Sequence, residues 1–487
     1  MQNNCVVPFF NIELTMRLKT LSFLKGCAAL TAAVVVTSCG NLLNLPPLQD
    51  LDADGALTNA QGIETALAGG YQILQGGNMW GGNMLTMTEV FGDFAMPERG
   101  NLDFHTGMYA NRNLNFFNAH GRECWNNSYD GINRINNVLS RVASVTDMSE
   151  ANRNRVRGEA LFLRGLYHFE LVRWFGLPAG ATMGNTQPGI VIRTEPTNSP
   201  NAQGSRARSS VADVYAQVIR DLTEAENLLP VAGATGHIVG RASKGAAAAI
   251  LARVYFQQND FARAAEASSR VIANTNYRLA DLNTVFGEMA PKGGGSPEVV
   301  FDIRNRDDNN NNGIGDASRY DGFQVPFISA SDTLKRLVSS FPMNDRRRSY
   351  LQDEGAAPNR LFVNKFAAFV MNIPIIRMGE IYLTRAESRA ETGDAAGALA
   401  DVNAVRTRAG IPALTGLTGA ALRDAIRRER AMELIFEGDR FQSLKRMRSL
   451  NINPLNVNQR LASDAPQLLW KIPDTEMNAN PQMQQNP

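Results

Sequence analysis

Apolar and polar positions follow helical spacing through most of the chain. From Arg377 to Arg448, Ile381, Ala386 and Ala390, then Leu399, Val402 and Val405, then Ile426, Met432, Leu434 and Ile435 recur every three or four residues. That period predicts packed amphipathic helices, with Gly393-Asp394 and Gly410-Ile411-Pro412 as the turns between them. The same pattern predicts helices over 61–75, 125–145 and 159–175, the last strongly apolar and closed by Gly176-Leu177-Pro178. A further helix runs to Leu229 behind a serine cap at Ser210.

Two stretches repeat one design. Ser243 to Asn274 reads as a helix, an Asn-Asp turn and a second helix, with Leu251, Ala252, Tyr255, Ala264 and Val271 at tetratricopeptide spacing. Arg377 to Gly410 repeats it: Ala386 stands where Ala252 does, Asp394 where Asp260 does, and Ala398 where Ala264 does. Small residues at these points let two helices approach closely. The two units are far apart in sequence, so the segments between them must elaborate a helical-repeat core.

Other patterns interrupt the helices. Glu298 to Arg304 (EVVFDIR) is the one strong strand signal, and it leads into NRDDNNNNGIGDASRYDGF, a surface loop. Residues 76–113, rich in Gly, Asn and Met with irregular aromatics, read as a long ordered loop, a kind of segment that often carries binding. The fold class is therefore mainly α: a tetratricopeptide-like helical scaffold with long loops and a few short strands.

Composition narrows the function. The 487 residues carry a net charge of +2 from 49 basic and 47 acidic side chains, which gives no general attraction to nucleic acid. Cys5, Cys27 and Cys39 lie in the first forty residues and only Cys124 in the body, so neither an internal disulfide nor a multi-cysteine metal site is expected. The four histidines show no HxxxH or HExxH spacing, which argues against a zinc enzyme. No cofactor is implied.

The N-terminus reads as an address. Arg17, Lys19 and Lys25 precede a short apolar run from Gly26 to Val36, and Thr37-Ser38 come directly before Cys39. The run is too short to stay in a bilayer, so residues 1–38 read as a cleaved export signal, with Met16 as the true start. The V-T-S-C ending resembles a bacterial lipoprotein signal, in which Cys39 becomes acylated. Lipid chains contribute about 0.8 kcal/mol per buried methylene, so two or three of them anchor the protein without a transmembrane helix. Residues 39–60 then form a lipidated tether and 61–487 the folded body.

Two clusters invite chemistry. Glu429, Glu433 and Glu437 follow one another four apart, with Arg430 and Arg440 near. Paired carboxylates can hydrolyse glycosides when they face each other across a cleft; this spacing along one helix instead predicts ion pairs to neighbouring helices. Asp308, Asn310, Asn312 and Gly313 match the first half of a calcium loop, but its twelfth position is Arg319 rather than a glutamate, so they are weak calcium candidates.

Taken together, several segments resemble the SusD/RagB family of outer-membrane nutrient-binding lipoproteins. They are EALFLRGLYHFELVRWFGLP, ARVYFQQNDFARAAEASSRVI, RMGEIYLTRAESRAETGD with ALADVNAVRTRAGIP, ERAMELIFEGDRFQSLKR, and the tail IPDTEMNANPQMQQNP. The resemblance covers nearly all of the mature chain. It implies a SusD-like domain over 61–487, with an N-terminal part at 61–230, tetratricopeptide-like pairs at 243–274 and 377–410, and a C-terminal part at 290–487. It also implies lipid anchoring in the outer membrane facing the cell surface, an oligosaccharide or peptide ligand, and a TonB-dependent SusC-like barrel as partner, with this chain as its lid and no catalysis. Sugar recognition wants flat aromatic faces beside polar side chains. Trp80, Phe104 and Tyr109 in the first long loop, and Tyr320 and Phe323 in the second, are the candidates. A glycan-degrading hydrolase and a tetratricopeptide adaptor of the cell envelope are the competing readings.

Overall fold

The structure, a computed structural model, describes residues 53–98, 119–197, 205–286, 296–305, 328–353, 360–366, 371–447 and 469–487. Met1–Ala56 and Leu57–Pro487 form separate compact units, and Ala53–Ala56 of the first is one helical turn. In chain order the second unit holds α1 (Ala60–Leu74), α2 (Asn83–Phe91), β1 (Ala95–Pro97), α3 (Ala119–Arg141), α4 (Glu150–Phe175), α5 (Val211–Leu228), α6 (Lys244–Gln257) and α7 (Phe261–Ile272). There follow β2 (Val299–Ile303), β3 (Ile328–Ala330), α8 (Asp332–Ser339), β4 (Leu351–Asp353), β5 (Leu361–Val363) and β6 (Ile373–Arg377). The last helices are α9 (Met378–Glu391), α10 (Ala395–Arg408), α11 (Gly419–Glu433), α12 (Arg440–Met447) and α13 (Asp474–Ala479).

Local chemistry starts most of these helices. Asn59, Ser149, Ser210 and Ser243 each accept a backbone N–H from the first turn of α1, α4, α5 and α6. The two repeat units match in detail. Asp260 and Asp394 cap α7 and α10 with the same backbone angles, φ −83 and ψ 74, and accept from Arg263 N and Gly397 N. Ala252, Ala264, Ala386 and Ala398 are all fully buried, as close helix approach requires.

Successive helices pack in series: α3 on α4, α4 on α5, α5 on α6, α6 on α7, α7 on α9 and α9 on α10. The α7–α9 contact joins the two repeat units directly. The strands and α8 are therefore insertions into one continuous helical array. The described strands form three two-stranded antiparallel ladders, β1–β3, β2–β6 and β4–β5.

Three stretches differ from the sequence expectation. Asn83–Phe91 is a helix inside the expected 76–113 loop; eight of its nine residues are buried, so no polar face reveals its period. Helix α4 begins at Glu150, well before 159. The run from Glu429 to Arg446 is two helices, because Phe436 (φ 61) and Gly438 (φ 78) turn the chain through the left-handed region and place Glu437 in the turn.

That turn sits in a buried ionic cluster. Arg377 donates to Glu298 and Glu437 at 2.6 Å and also pairs with Glu433. Arg408 reaches Glu298 at 2.7 Å and Glu433; Arg347 holds Asp345 and Glu429; Lys365 pairs with Glu437. Burial alone would raise Glu433, but Arg408, Arg377 and Arg347 hold it well below the usual carboxylate range. All three glutamates of the four-residue series are thus bound to arginine or lysine.

The tail closes the other side. Trp470 stacks on Trp174 at 4.2 Å, and Trp174 stacks on Phe441 at 5.3 Å. Asn486 Nδ2 donates to Phe175 O and Trp470 O, while Lys445 Nζ donates to Arg173 O and Gly176 O at the end of α4. Side-chain donors therefore satisfy carbonyls that a helix end leaves orphaned.

Candidate functional site

The site is built around one of the two three-residue ladders. β1 and β3 pair antiparallel, with Ala95 opposite Ala330 and Pro97 opposite Ile328. Residue 98 and residue 328 are consequently neighbours, so segment 99–118 starts where segment 306–327 ends. Glu98 marks the spot. It accepts from Ser329 Oγ and pairs with Arg360 Nε at 3.2 Å; its side chain is 4% exposed, that of Arg360 41%. Ser331 ties the base of the ladder by donating to the backbone carbonyls of Asp93 and Phe94.

The other ends of these segments are also anchored by polar side chains. Segment 99–118 returns at α3, where His120 Nδ1 lies 2.6 Å from Asn83 Nδ2 and 3.1 Å from Asn78 Oδ1, and Asn83 Nδ2 donates to Asn78 Oδ1 at 2.6 Å. Burial pushes the His120 pKa down, so the imidazole is neutral at pH 7. Segment 306–327 begins beside Asn305, whose Nδ2 donates to Met371 O at 2.9 Å and whose N–H donates to Asn372 Oδ1. Two separate polar clusters thus flank segment 99–118: Glu98, Ser329 and Arg360 where it starts, and Asn78, Asn83 and His120 where it returns. Such groups suit hydroxyls and amides rather than bond cleavage.

Of the aromatic candidates, Trp80 is within the described residues. It is 3% exposed, with the Arg253 guanidinium 5.9 Å from its ring centroid, so its indole lies in the interior. Phe104, Tyr109, Tyr320 and Phe323 lie outside the described residues, as do Asp308, Asn310, Asn312 and Cys39. Among the described residues no group of three or more His, Cys, Asp or Glu could hold a metal ion.

Hydrolysis would need a reachable carboxylic acid held protonated. Glu89 has its pKa pushed up by burial to about 8, but it is wholly enclosed. Glu429, Glu433 and Glu437 are buried against cations. The rim residues Asn78, Asn83 and His120 escaped the sequence reading, although the doubled Gly-Gly-Asn at 76–78 and 81–83 was a visible signal. The Glu98–Arg360 pair had none.

Comparison with known proteins adds to this geometry. Residues 48–256 match a family model described as "Starch-binding associating with outer membrane", and residues 369–487 match a "SusD family" model. The SusD-like protein P2 of Formosa agariphila is 24% identical over 482 residues, covering 87% of this chain and 91% of that protein. A SusD superfamily protein from Bacteroides thetaiotaomicron shares the fold with a TM-score of 0.77 at 23% identity, covering 88% of this chain and all of the other. A SusD-like carbohydrate binding protein from Bacteroides vulgatus has a TM-score of 0.72 at 22% identity, covering 87% and 97%.

Proposed function

The chain belongs to the SusD/RagB family, and from that premise we propose that it is the ligand-capturing lid of a TonB-dependent SusC-like barrel in the outer membrane. It is anchored through lipid on Cys39, after removal of residues 1–38, and faces the cell surface. Its ligand is a glycan or another oligomeric nutrient, and it carries out no covalent chemistry.

The observation that carries this reading is that segment 99–118 starts beside the end of segment 306–327 at the β1–β3 ladder. Phe104, Tyr109, Tyr320 and Phe323 all belong to these two segments. In this reading they supply apolar ring faces, while Glu98 and Arg360 brace the ladder end and Asn78, Asn83 and His120 brace the return of segment 99–118. The description of the first family model and the printed name of the Bacteroides vulgatus relative support a carbohydrate ligand.

Two measurements test it. A glycan and peptide array should return a ligand, and purification in mild detergent should recover a large barrel with the lipoprotein. Failure to recover the barrel sinks the lid role. Release of reducing ends from any bound glycan would favour the hydrolase instead, and resistance to protease on intact cells would contradict surface display.

A further inference from the structure

Two adjoining cavities lie on the face formed by α8, α11 and α12. The larger is a cleft of about 290 Å³ with Phe94, Leu337, Ala431, Leu444 and Met447 as its apolar walls. The smaller is a hollow of about 10 Å³, and Phe94, Arg427, Ala431, Arg440 and Met447 are walls of both. A space of roughly that size holds a single water, and so a single hydroxyl group. The hollow is lined by a carboxylate that is only half satisfied. Glu387, on α9, is wholly buried. Its Oε1 accepts from Arg427 Nε at 2.9 Å and from Arg446 Nη2 at 2.8 Å, while its Oε2 has no hydrogen-bond partner among the described residues. Burial raises the Glu387 pKa, but Arg446 and Arg427 hold it below the ordinary value, so the group is ionised. A buried, charged oxygen without a donor is costly, and the hollow that Glu387 lines is where one fits.

Charge decides which donor enters. Arg427, Arg430, Arg440 and Arg446 all line the hollow, so an ammonium group is repelled. An anion gains little, because these guanidiniums are already engaged. Asp93 holds Arg440 at 2.6 and 2.9 Å, Glu391 holds Arg427 at 2.7 Å, and Asp439 holds Arg430 at 2.6 Å. A carboxylate would also face Glu387 itself. A neutral hydroxyl meets Oε2 without either penalty. The cleft then selects the body of the molecule. Its apolar walls favour a hydrocarbon, and Arg428 and Met447 add a guanidinium and a thioether, both of which favour an aromatic ring. Arg428 Nη2 is steadied by Ser340 Oγ at 2.8 Å.

We propose that the two cavities form a binding site for a small neutral phenol, whose hydroxyl donates to Glu387 Oε2 and whose ring lies among Phe94, Leu444 and Met447. A phenolic O–H is a good donor to a carboxylate, and a hydrogen bond to an ionised acceptor is the stronger kind. None of the walls of either cavity belongs to segments 99–118 or 306–327. The site therefore stands apart from the glycan reading, and the two succeed or fail separately.

Saturation-transfer NMR titrations of the mature protein test the site with four probes. They are 4-ethylphenol, 4-ethylanisole (the same ring with its donor blocked), benzylamine and benzoate. 4-Ethylphenol should bind about tenfold more tightly than each of the others, a difference of about 1.4 kcal/mol. Ala431 is half-buried and lines both cavities, so Ala431→Trp should fill the cleft and weaken 4-ethylphenol about tenfold. Glu387→Gln replaces the open acceptor with a donor and should abolish the preference for 4-ethylphenol over 4-ethylanisole. Thermal unfolding confirms that each variant is folded, and if Glu387→Gln is not, Ala431→Trp and the probe series still decide. Equal affinity for 4-ethylphenol and 4-ethylanisole would mean that the hollow keeps a water, and overturns the assignment. So does an absence of 4-ethylphenol binding, or an affinity unchanged by Ala431→Trp, which would place the phenol elsewhere on the protein.

Discussion

Arg377 Nη1 donates to Glu298 Oε1 at 2.6 Å, and neither side chain reaches solvent. The pair joins the start of β2 to the end of β6, and Arg377 is the residue from which α9 starts. Its remaining donors reach Glu437 and the Glu433 carbonyl, so one guanidinium ties together the strand pair, the second repeat unit and the turn after α11.

Replacing Arg377 with methionine should therefore be severe. Glu298, Glu433 and Glu437 would stay buried with one cation fewer among them, and breaking a buried pair from one side costs about 3–5 kcal/mol. Lysine should not rescue it, since a point-like ammonium cannot reproduce the fork that meets three carboxylates and a carbonyl. Urea unfolding of the mature protein checks this. A loss below about 1 kcal/mol would mean that the cluster relaxes or rehydrates far more readily than its burial implies.

Glu89 should impose a pH dependence of its own. Burial raises its pKa from the ordinary 4.5 to about 8, Gly438 N–H opposes the rise at 3.2 Å, and Asp439, Arg440 and Lys365 are the charged groups around it. A carboxyl whose folded pKa is raised binds its proton more tightly in the folded state. Its contribution is fully present below about pH 4.5 and is lost as pH rises toward about 8. Glu89→Gln should remove this loss. Its stability advantage over the wild type should grow between pH 5 and pH 8 and level off above that. Parallel stability curves across that window would show that Glu89 ionises normally.

Gly131 separates two effects of opposite sign. Alanine in mid-helix gains about 1 kcal/mol over glycine, but overpacking a core costs about 1–3 kcal/mol. A Cβ on Gly131 would lie 2.6 Å from Tyr167 Cζ, and the Tyr167 hydroxyl is held by Gly70 O at 2.6 Å, so the ring cannot step aside. Gly131→Ala should be net destabilising. Gly77→Ala, where nothing lies within 4 Å, should change stability by less than about 0.5 kcal/mol. Thermal melts of the two variants decide the matter, and a stabilised Gly131→Ala would show that α3 and α4 can move apart.

The same contrast between local and distant forces explains what the sequence made legible. Asp260 and Asp394 could be read as matching turn positions because a cap needs only its own first turn. The α7–α9 contact could not, since nothing local joins helices separated by five strands and a helix. Phe436 and Gly438 were hidden because the glutamate period runs straight through them, while the cations that select the turn, Lys365 and Arg377, lie elsewhere in the chain. The rim shows the same limit. Asn78 and Asn83 repeat a motif in one stretch, but three-residue strands carry too little pattern to announce that Pro97 meets Ile328.

That meeting gives the prediction closest to function. Arg360 is about two-fifths exposed while Glu98 is 4% exposed, so solvent screens one side of the pair and Arg360→Ala should cost about 1 kcal/mol of stability. The same pair stands where segment 99–118 starts and segment 306–327 ends, the two segments proposed to bear ligand, and Glu98 would be left with Ser329 alone. Affinity for the ligand found on the array should then fall at least tenfold, about 1.4 kcal/mol or more, exceeding the shift in melting free energy. Glu98→Gln, which keeps an acceptor for Ser329 Oγ but removes the charge, should fall between wild type and Arg360→Ala. Titration calorimetry beside thermal melts separates the outcomes: equal losses in both quantities would make the pair merely structural, and unchanged affinity would place ligand recognition away from the β1–β3 rim.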